Sequence, residues 1–282
     1  MKCTMVDVFS SQRFSGNGLA IFSDCDHLSS AEMQVLTQEM RQFESIFLAC
    51  EAGVFSARIF TMEEELDFAG HPLLGLAYHL HDTFGERAQQ HEWQVKLNRA
   101  TVTLRSGWRD GQFIASMSQG RPSFGKTLSR EEAAVLYSAL GLDAFELPGY
   151  PAEVVSTGLP YVVLPVSAGL EAVEFRVADL SPLLAPHGAK FLYVVDVPGL
   201  EGRTWDNAGK VEDIATGSAA GPVGAYLYKH GLSTEREITL NQGRFLGRPS
   251  RLQVKLLGDG AEILDVQVSG HVVKVADVCF AG

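Results

Sequence analysis

An outline that occurs twice along the chain constrains its fold most strongly. Turn residues precede an apolar run at 19–22 and again at 161–166, and each run is followed much later by a helix rich in small residues, predicted at 70–81 and 217–228. The spacing is far longer than a solenoid repeat. We therefore predict an α+β fold of two pseudo-symmetric halves, each with a β-sheet wrapped around a central helix, which face one another across a ligand cleft.

Two capping boxes mark further helices. Ser29 with Glu32 predicts a helix that runs to about Met40, and Ser129 with Glu132 predicts one that runs to about residue 140. The stretch 118–125 contains glycine, proline and serine and is predicted to be a linker. It divides the chain into predicted domains at 1–119 and 126–282.

Charge and cysteine usage exclude several classes of protein. The chain carries 23 Lys and Arg against 34 Asp and Glu, a formal net charge of −11, so nucleic acid and anionic membrane surfaces are unsuitable partners. Its four cysteines are scattered without a Cys-x-x-Cys pair, which argues against disulfides, structural zinc or a redox motif. No apolar segment has the length of a membrane span, and no signal peptide is recognisable, so we expect a cytoplasmic protein.

The two glycine-led helix starts are candidate anion sites. The first N–H groups of a helix have no intrahelical partner, and together with the helix dipole they can hold a carboxylate without an arginine. Gly70, Gly217 and Ser218 would supply these donors. Ordinary tight turns before buried helices are the alternative, but the matched pair favours ligand binding.

Glu44 and Asp213 are candidate reacting or binding carboxylates. Glu44 lies between Phe43 and an apolar strand, where loss of hydration suits acid/base chemistry, although an exposed glutamate at a helix end would read the same way. Asp213 shortly precedes the second glycine-led helix and either contacts a ligand or caps that helix. His79 and His81 alternate on a helix and so do not share a face, which argues against a metal site there.

Four groups of segments, in chain order, carry a resemblance to a known family. They are Val6-Asp7-Val8-Phe9 with Phe14-Ser15-Gly16-Asn17-Gly18-Leu19-Ala20; Arg58-Ile59-Phe60-Thr61 with Glu65 and Phe68-Ala69-Gly70-His71-Pro72; Glu212-Asp213-Ile214-Ala215-Thr216-Gly217-Ser218-Ala219-Ala220-Gly221-Pro222; and Gln242-Gly243-Arg244 with Gly247-Arg248-Pro249-Ser250-Arg251-Leu252. These segments span nearly the whole chain and resemble the PhzF-like isomerases of phenazine biosynthesis.

The resemblance implies a diaminopimelate epimerase-like fold, in which the last strand region, here 266–276, can return to the first domain. It implies that Glu44 is the catalytic acid/base, with His71 and Asp213 as its polar partners, and that Gly70, Gly217 and Ser218 bind the substrate. Family members are commonly homodimers and need neither a metal nor an organic cofactor.

Departures from related folds bear on the reaction type. Epimerase and proline-racemase relatives carry one cysteine at each helix start, where this chain has Ala69 and Thr216 instead. Leu73, Ile214 and Ser45 also differ from the usual residues of the PhzF-like family and bear on substrate identity. Together, the resemblance and these departures predict an isomerase that shifts a proton and a double bond on a small carboxylate. A racemase on the same fold and a non-catalytic ligand-binding protein are the alternatives.

Overall fold

The computed structural model of the chain describes residues 1–85 and 89–280. Its contacts form two compact units. Unit 1 comprises Met1–Ser118, Gly247–Arg251 and Ser269–Gly282, and unit 2 comprises Gln119–Leu246 and Leu252–Val268. That residues 1–119 and 126–282 form independently folding domains stays a prediction.

Unit 1 contains eight complete strands and two helices among its described residues. The strands are β1 (Lys2–Val8), β2 (Asn17–Ser23), β3 (Glu44–Glu51), β4 (Val54–Thr61), β5 (Glu65–Leu66), β6 (His91–Lys96), β7 (Thr101–Arg109) and β8 (Gln112–Ser118), and the helices are α1 (Ser30–Met40) and α2 (Gly70–Phe84). The hydrogen-bonded order is β1-β2-β3-β4-β6-β7-β8, with β5 paired to β4.

Helix α2 is the central element of unit 1. Every residue from Gly70 to His81 is buried, so this part of the helix has no solvent face, as expected for an apolar core helix. It packs against β1, β2, β7 and β8. At Gly75 a β-carbon would overlap the side chain of Leu19, so the absence of a side chain lets the helix approach the sheet closely.

Unit 2 repeats this plan with different bounds. Its strands are β9 (Ser123–Thr127), β10 (Glu153–Ser156), β11 (Pro160–Val166), β12 (Phe191–Asp196), β13 (Glu201–Arg203), β14 (Glu237–Gln242) and β15 (Ser250–Leu257), and its helices are α3 (Arg130–Ala139), α4 (Ser181–Leu184) and α5 (Gly217–Lys229). The first two residues of β15 belong to unit 1. Short 3₁₀ turns occupy Asp143–Phe145, Leu170–Ala172, Ala185–His187 and Arg244–Leu246. The strands follow the order β15-β14-β13-β12-β11-β10-β9, and α5 packs against β10, β11 and β12.

The last strand, β16 (Asp265–Val278), divides its residues between the two units. Its part in unit 1 pairs antiparallel with β1, from Val8 opposite Val272 to Cys3 opposite Val278. This pairing involves residues 272–278, whereas residues 266–268 belong to unit 2. That the region 266–276 returns to the first domain stays a prediction.

The predictions of the helix starts and of the linker have different outcomes. Both capping boxes are confirmed, because Ser29 and Ser129 each accept the third backbone N–H while Glu32 and Glu132 each bond back to the cap. The predicted linker is wrong over 123–125, since these residues open β9 and pair with β10. Among residues 1–85 and 89–280, no helix is long and apolar enough to cross a bilayer.

Candidate functional site

Glu44 and His71 meet in unit 1. Glu44 opens β3, His71 is the second residue of α2, and their Oε2 and Nδ1 atoms are 2.7 Å apart. The two residues are 6% and 4% exposed, respectively, so the contact is shielded from solvent. When Glu44 is ionised, the Nδ1–H of His71 donates to it. When Glu44 is protonated, the same distance lets its hydroxyl donate to the imidazole, so the pair can hold a proton in either form.

The start of α2 adds backbone donors beside this pair. Its N-cap residue, Ala69, has no side chain able to cap the helix, and Pro72 in the first turn has no N–H to satisfy. The N–H groups of Gly70 and His71 therefore lie at the positive end of the helix dipole, and the N-cap side chain makes no bond to them. We call Glu44, Gly70 and His71 the α2 site.

Strand β2 lies beside Glu44, and the turn that precedes β2 is held by the segment 247–252, one of those that carry the family resemblance. Arg248 donates through Nε to the carbonyl of Gly16 and through a terminal nitrogen to Asp7, both at 2.6 Å. Asp7 also accepts the Phe14 N–H, at 2.6 Å. These bonds fix the start of β2, where Leu19 lies in parallel register with Glu44. Burial raises the pKa of Asp7 more than the Phe14 amide and Arg248 lower it.

Asp213 lies in unit 2, close to the start of α5. Its backbone N–H donates to Thr204, and its two carboxylate oxygens accept from the Ala215 N–H at 3.3 Å and from the Thr216 hydroxyl at 2.6 Å. Just before it, Glu212 forms a bidentate pair with Arg203, and both side chains are largely buried. The loop that carries Asp213 is therefore held by its backbone, by its side chain and by its neighbour.

The N-terminus of α5 resembles that of α2. Its N-cap Thr216 makes no side-chain bond to the helix, so the first N–H groups, those of Gly217 and Ser218, are not capped. The Ser218 hydroxyl lies 2.7 Å from that of Tyr161 on β11. The carbonyl of Gly217 accepts from Gln119, at 2.8 Å. We call Asp213, Gly217 and Ser218 the α5 site.

The structure thus brings Glu44 into contact with His71 and places Asp213 beside Gly217 and Ser218. That all six residues serve one reaction stays a prediction. Sequence reasoning missed three residues of unit 2, namely Tyr161, Thr216 as a donor to Asp213, and Gln242. Gln242 belongs to one of the segments that carry the family resemblance, and that membership was the one available signal for it.

Several further polar and aromatic side chains are held by packing and pairing. His81 and Trp93 both bond the Ser106 hydroxyl, and within the described residues no cluster of three or more His, Cys, Asp or Glu side chains is placed to hold a metal ion. Trp205 packs against Phe175 and under Arg203. Glu65, which belongs to one of the segments that carry the family resemblance, is paired with Arg58.

Several known proteins are similar to this chain. A family model described as "Phenazine biosynthesis-like protein" matches residues 6–278. A trans-2,3-dihydro-3-hydroxyanthranilate isomerase from Pseudomonas aeruginosa is 36% identical and is aligned over 97% of this chain and 96% of its own length. The structure of a predicted epimerase from Pseudomonas aeruginosa is 48% identical, with a TM-score of 0.91, and covers 100% of this chain and 99% of its own.

A more distant structure bears on the fold alone. A probable proline racemase from Agrobacterium radiobacter superimposes with a TM-score of 0.61 at 9% identity, over 99% of this chain and 92% of its own. Together with the more similar structure, it confirms the predicted α+β, epimerase-like fold.

Proposed function

Since this chain belongs to the PhzC-PhzF family of phenazine biosynthesis-like proteins and is an isomerase, we propose that it shifts a proton and a double bond on a small amino- or hydroxy-carboxylate, with Glu44 as the general acid and base. The family resemblance predicted from its motifs is confirmed by the match over residues 6–278. The observation that carries the proposal is the 2.7 Å contact between the buried side chains of Glu44 and His71.

The reaction begins with ionised Glu44. Its carboxylate removes a proton from a substrate carbon that a neighbouring carbonyl or unsaturated group makes acidic. The electron pair of the broken C–H bond forms a new double bond, and the former double bond shifts its electrons to a second carbon. Protonated Glu44 then returns the proton to that carbon. One proton leaves the substrate and one is returned to it, so the step needs no oxidant or cofactor.

His71 is proposed to keep this proton available. It donates from Nδ1 to Oε2 of Glu44 and steadies the carboxylate before the first transfer. The substrate proton is then held on the other carboxyl oxygen, so His71 keeps donating to Oε2 after the transfer. Because both side chains are buried, the low local dielectric strengthens the hydrogen bond between them. The backbone N–H groups of Gly70 and His71 stabilise charge that develops near the helix start.

The α5 site is proposed to bind the same substrate. The uncapped N–H groups of Gly217 and Ser218 suit its carboxylate, and the carboxylate of Asp213 suits an ammonium or hydroxyl group. Both sites offer the N–H groups of a helix start and a carboxylate. In the α2 site the carboxylate of Glu44 transfers the proton, and in the α5 site that of Asp213 accepts a hydrogen bond from the substrate. This arrangement agrees with a chain of net charge −11 that binds an anion through local donors.

The test is proton NMR in heavy water, with wild type beside Glu44→Gln. The probes are trans-2,3-dihydro-3-hydroxyanthranilate, named for the Pseudomonas aeruginosa relative, and a panel of small amino- and hydroxy-carboxylates. We expect deuterium to enter one probe with wild type, together with a shifted double bond. Glu44→Gln should reduce this rate by about 10²–10⁴-fold, the usual contribution of a positioned acid/base group.

Other results separate the alternatives. Equal exchange by both proteins would remove Glu44 from the reaction. Deuterium entry with loss of chirality and an unmoved double bond would indicate a racemase, which the residues Ala69 and Thr216 at the two N-caps disfavour because neither is a thiol. Tight binding without exchange, unaffected by Glu44→Gln, would indicate a binding protein. The predicted cytoplasmic location and homodimer stay predictions.

A further inference from the structure

Gln242 lies at the end of β14, and its side-chain amide makes four hydrogen bonds. Its Nε2 donates to the carbonyl of Asp213 at 2.8 Å and to the hydroxyl oxygen of Thr216 at 3.0 Å. Its Oε1 accepts from the Thr216 N–H and from the hydroxyl of Tyr193, both at 3.1 Å. The residue is 1% exposed. An amide has two N–H donors and two carbonyl lone pairs, so these four bonds use its full capacity.

The partners fix which way this amide points. The Thr216 N–H can only donate, so it must face the amide oxygen, and the carbonyl of Asp213 can only accept, so it must face the amide nitrogen. Burial raises the pKa of the Tyr193 hydroxyl, which therefore remains a donor toward the same oxygen. A flipped amide would set donor against donor and acceptor against acceptor in a buried place, which is costly.

The orientation of the amide sets that of the Thr216 hydroxyl. Because the hydroxyl oxygen already accepts from Gln242 Nε2, its hydrogen is directed to the other near atom, Asp213 Oδ2, at 2.6 Å. Asp213 Oδ1 accepts from the Ala215 N–H. Both carboxylate oxygens thus receive neutral donors, an arrangement that stabilises the ionised form.

We propose that Gln242 is a positioning residue of the α5 site: it directs the Thr216 hydroxyl onto Asp213 and thereby keeps Asp213 as an ionised acceptor for a donor group of the substrate. The substrate class follows from this charge state. An ionised Asp213 beside an uncapped helix start binds a molecule that carries an ammonium or hydroxyl donor together with a carboxylate. The identity of this ligand rests on the proposed function, whereas the charge state of Asp213 does not.

The test is a carboxyl ¹³C NMR titration from pH 7.5 to 4 on protein labelled at aspartate, with the Asp213 signal assigned by its loss in Asp213→Asn. Wild type should keep Asp213 ionised over most of this range. In Thr216→Val, which removes the hydroxyl at nearly constant shape, the titration midpoint should move to higher pH. Thr216→Ser should restore the wild-type midpoint, since serine keeps the donor.

Gln242→Met examines the positioning residue itself. It removes the amide but not the Thr216 hydroxyl, so the midpoint should move in the same direction as in Thr216→Val and by less. Thr37→Val, in α1, is the matched control: its buried hydroxyl donates to Met33 in its own helix, and its loss should leave the Asp213 signal unchanged. Circular dichroism and thermal unfolding identify any variant that fails to fold.

Four results would overturn the proposal. They are an Asp213 that is protonated near neutral pH in wild type, a Thr216→Val midpoint equal to wild type in a folded protein, a Thr216→Ser midpoint equal to that of Thr216→Val, and a Gln242→Met midpoint equal to wild type. The titration needs no substrate, so its result is independent of the isotope-exchange test.

The same variant can be tested in the exchange assay. With an exchanging probe, folded Thr216→Val should raise KM about tenfold with a smaller change in kcat. This is the loss expected when one charged hydrogen bond to the ligand weakens.

Discussion

The helices α2 and α5 begin alike and differ in what lies along them. Both open with glycine after an N-cap that makes no side-chain bond to the helix, and both are buried over most of their length. Helix α2 then carries three buried histidines, at positions 71, 79 and 81, whereas α5 carries none. The same backbone feature thus occurs once with titratable imidazoles and once without.

The difference extends to the carboxylate beside each helix. Glu44 contacts an imidazole, which can give or take a proton near neutral pH. Asp213 instead accepts from a backbone amide and a threonine hydroxyl, neither of which titrates in that range. A repeated helix start can therefore serve proton transfer in one half and fixed charge in the other.

The largest expected effect comes from moving the carboxylate at the α2 site without removing it. Glu44→Asp keeps the charge but withdraws the oxygens from His71 by about one carbon–carbon bond. A misplacement of about 1 Å in a reacting group can cost about 10² in rate. We expect kcat in the exchange assay to fall by about that factor while KM changes little. Glu64→Asp, on an exposed loop, is the matched control. A variant with wild-type kcat would mean that the α2 site is not where the proton moves.

The second effect separates binding from chemistry at the α5 site. Asp213→Asn keeps the shape and removes the charge, so the substrate donor loses a charged hydrogen bond of about 1.5–3 kcal/mol. We expect KM to rise about ten- to a hundredfold with kcat reduced less. Asp110→Asn, in an exposed hairpin turn, should leave both constants unchanged. A loss confined to kcat would contradict the assignment and would give Asp213 the proton-transfer role.

The parts of these sites that depend on residues close together in the chain could be predicted from the sequence. The capping boxes at Ser29 and Ser129 and the glycine-led starts of α2 and α5 involve residues within one helical turn, so their pattern predicts them. The burial of Glu44 was one of two interpretations that its apolar neighbours allowed. Its contact with His71, 27 positions away, rested on family resemblance.

Long-range pairing accounts for what the sequence did not predict. Gln242 reaches Asp213 and Thr216 across more than twenty residues, and nothing in its own segment indicates those partners. The same holds for β9, whose residues 123–125 are exposed and turn-like in composition but are ordered by pairing with β10. A strand at the edge of a sheet is specified by its neighbour as much as by its own residues.

Substitution of glycine tests whether α2 and α5 pack equally closely against the strands beside them. A β-carbon at Gly75 would overlap Leu19, and one at Gly224 would lie 2.6 Å from Val254 Cγ1. Alanine usually stabilises a helix interior by up to about 1 kcal/mol, but overpacking costs about 1–3 kcal/mol. Gly75→Ala and Gly224→Ala should each lower the free energy of unfolding by about 1 kcal/mol in denaturant titrations. Stabilisation by only one of the two variants would show that its helix has room to shift and that the packing of the two helices differs.

The smallest expected effect is a pH dependence of the free energy of unfolding, which α2 should confer and α5 should not. Burial lowers the pKa of His79 below its ordinary value of 6.5, while Asp82, Asp277 and Asp24 raise it and Lys274 lowers it further. The unfolded chain therefore binds this proton more readily than the folded one. The stability contributed by neutral His79 is complete above pH 6.5 and is lost as the pH falls from there toward the folded-state pKa.

Between about pH 7 and 5, this one proton can change the free energy of unfolding by at most about 1.4 kcal/mol per pH unit. His79→Gln should flatten that slope, whatever its effect on stability at neutral pH. His27→Gln, at an exposed position, should leave the slope unchanged. If the slope persists in His79→Gln, acid sensitivity does not come from the middle of α2. The contrast between a helix with titratable side chains and one without would then hold only at the Glu44–His71 pair.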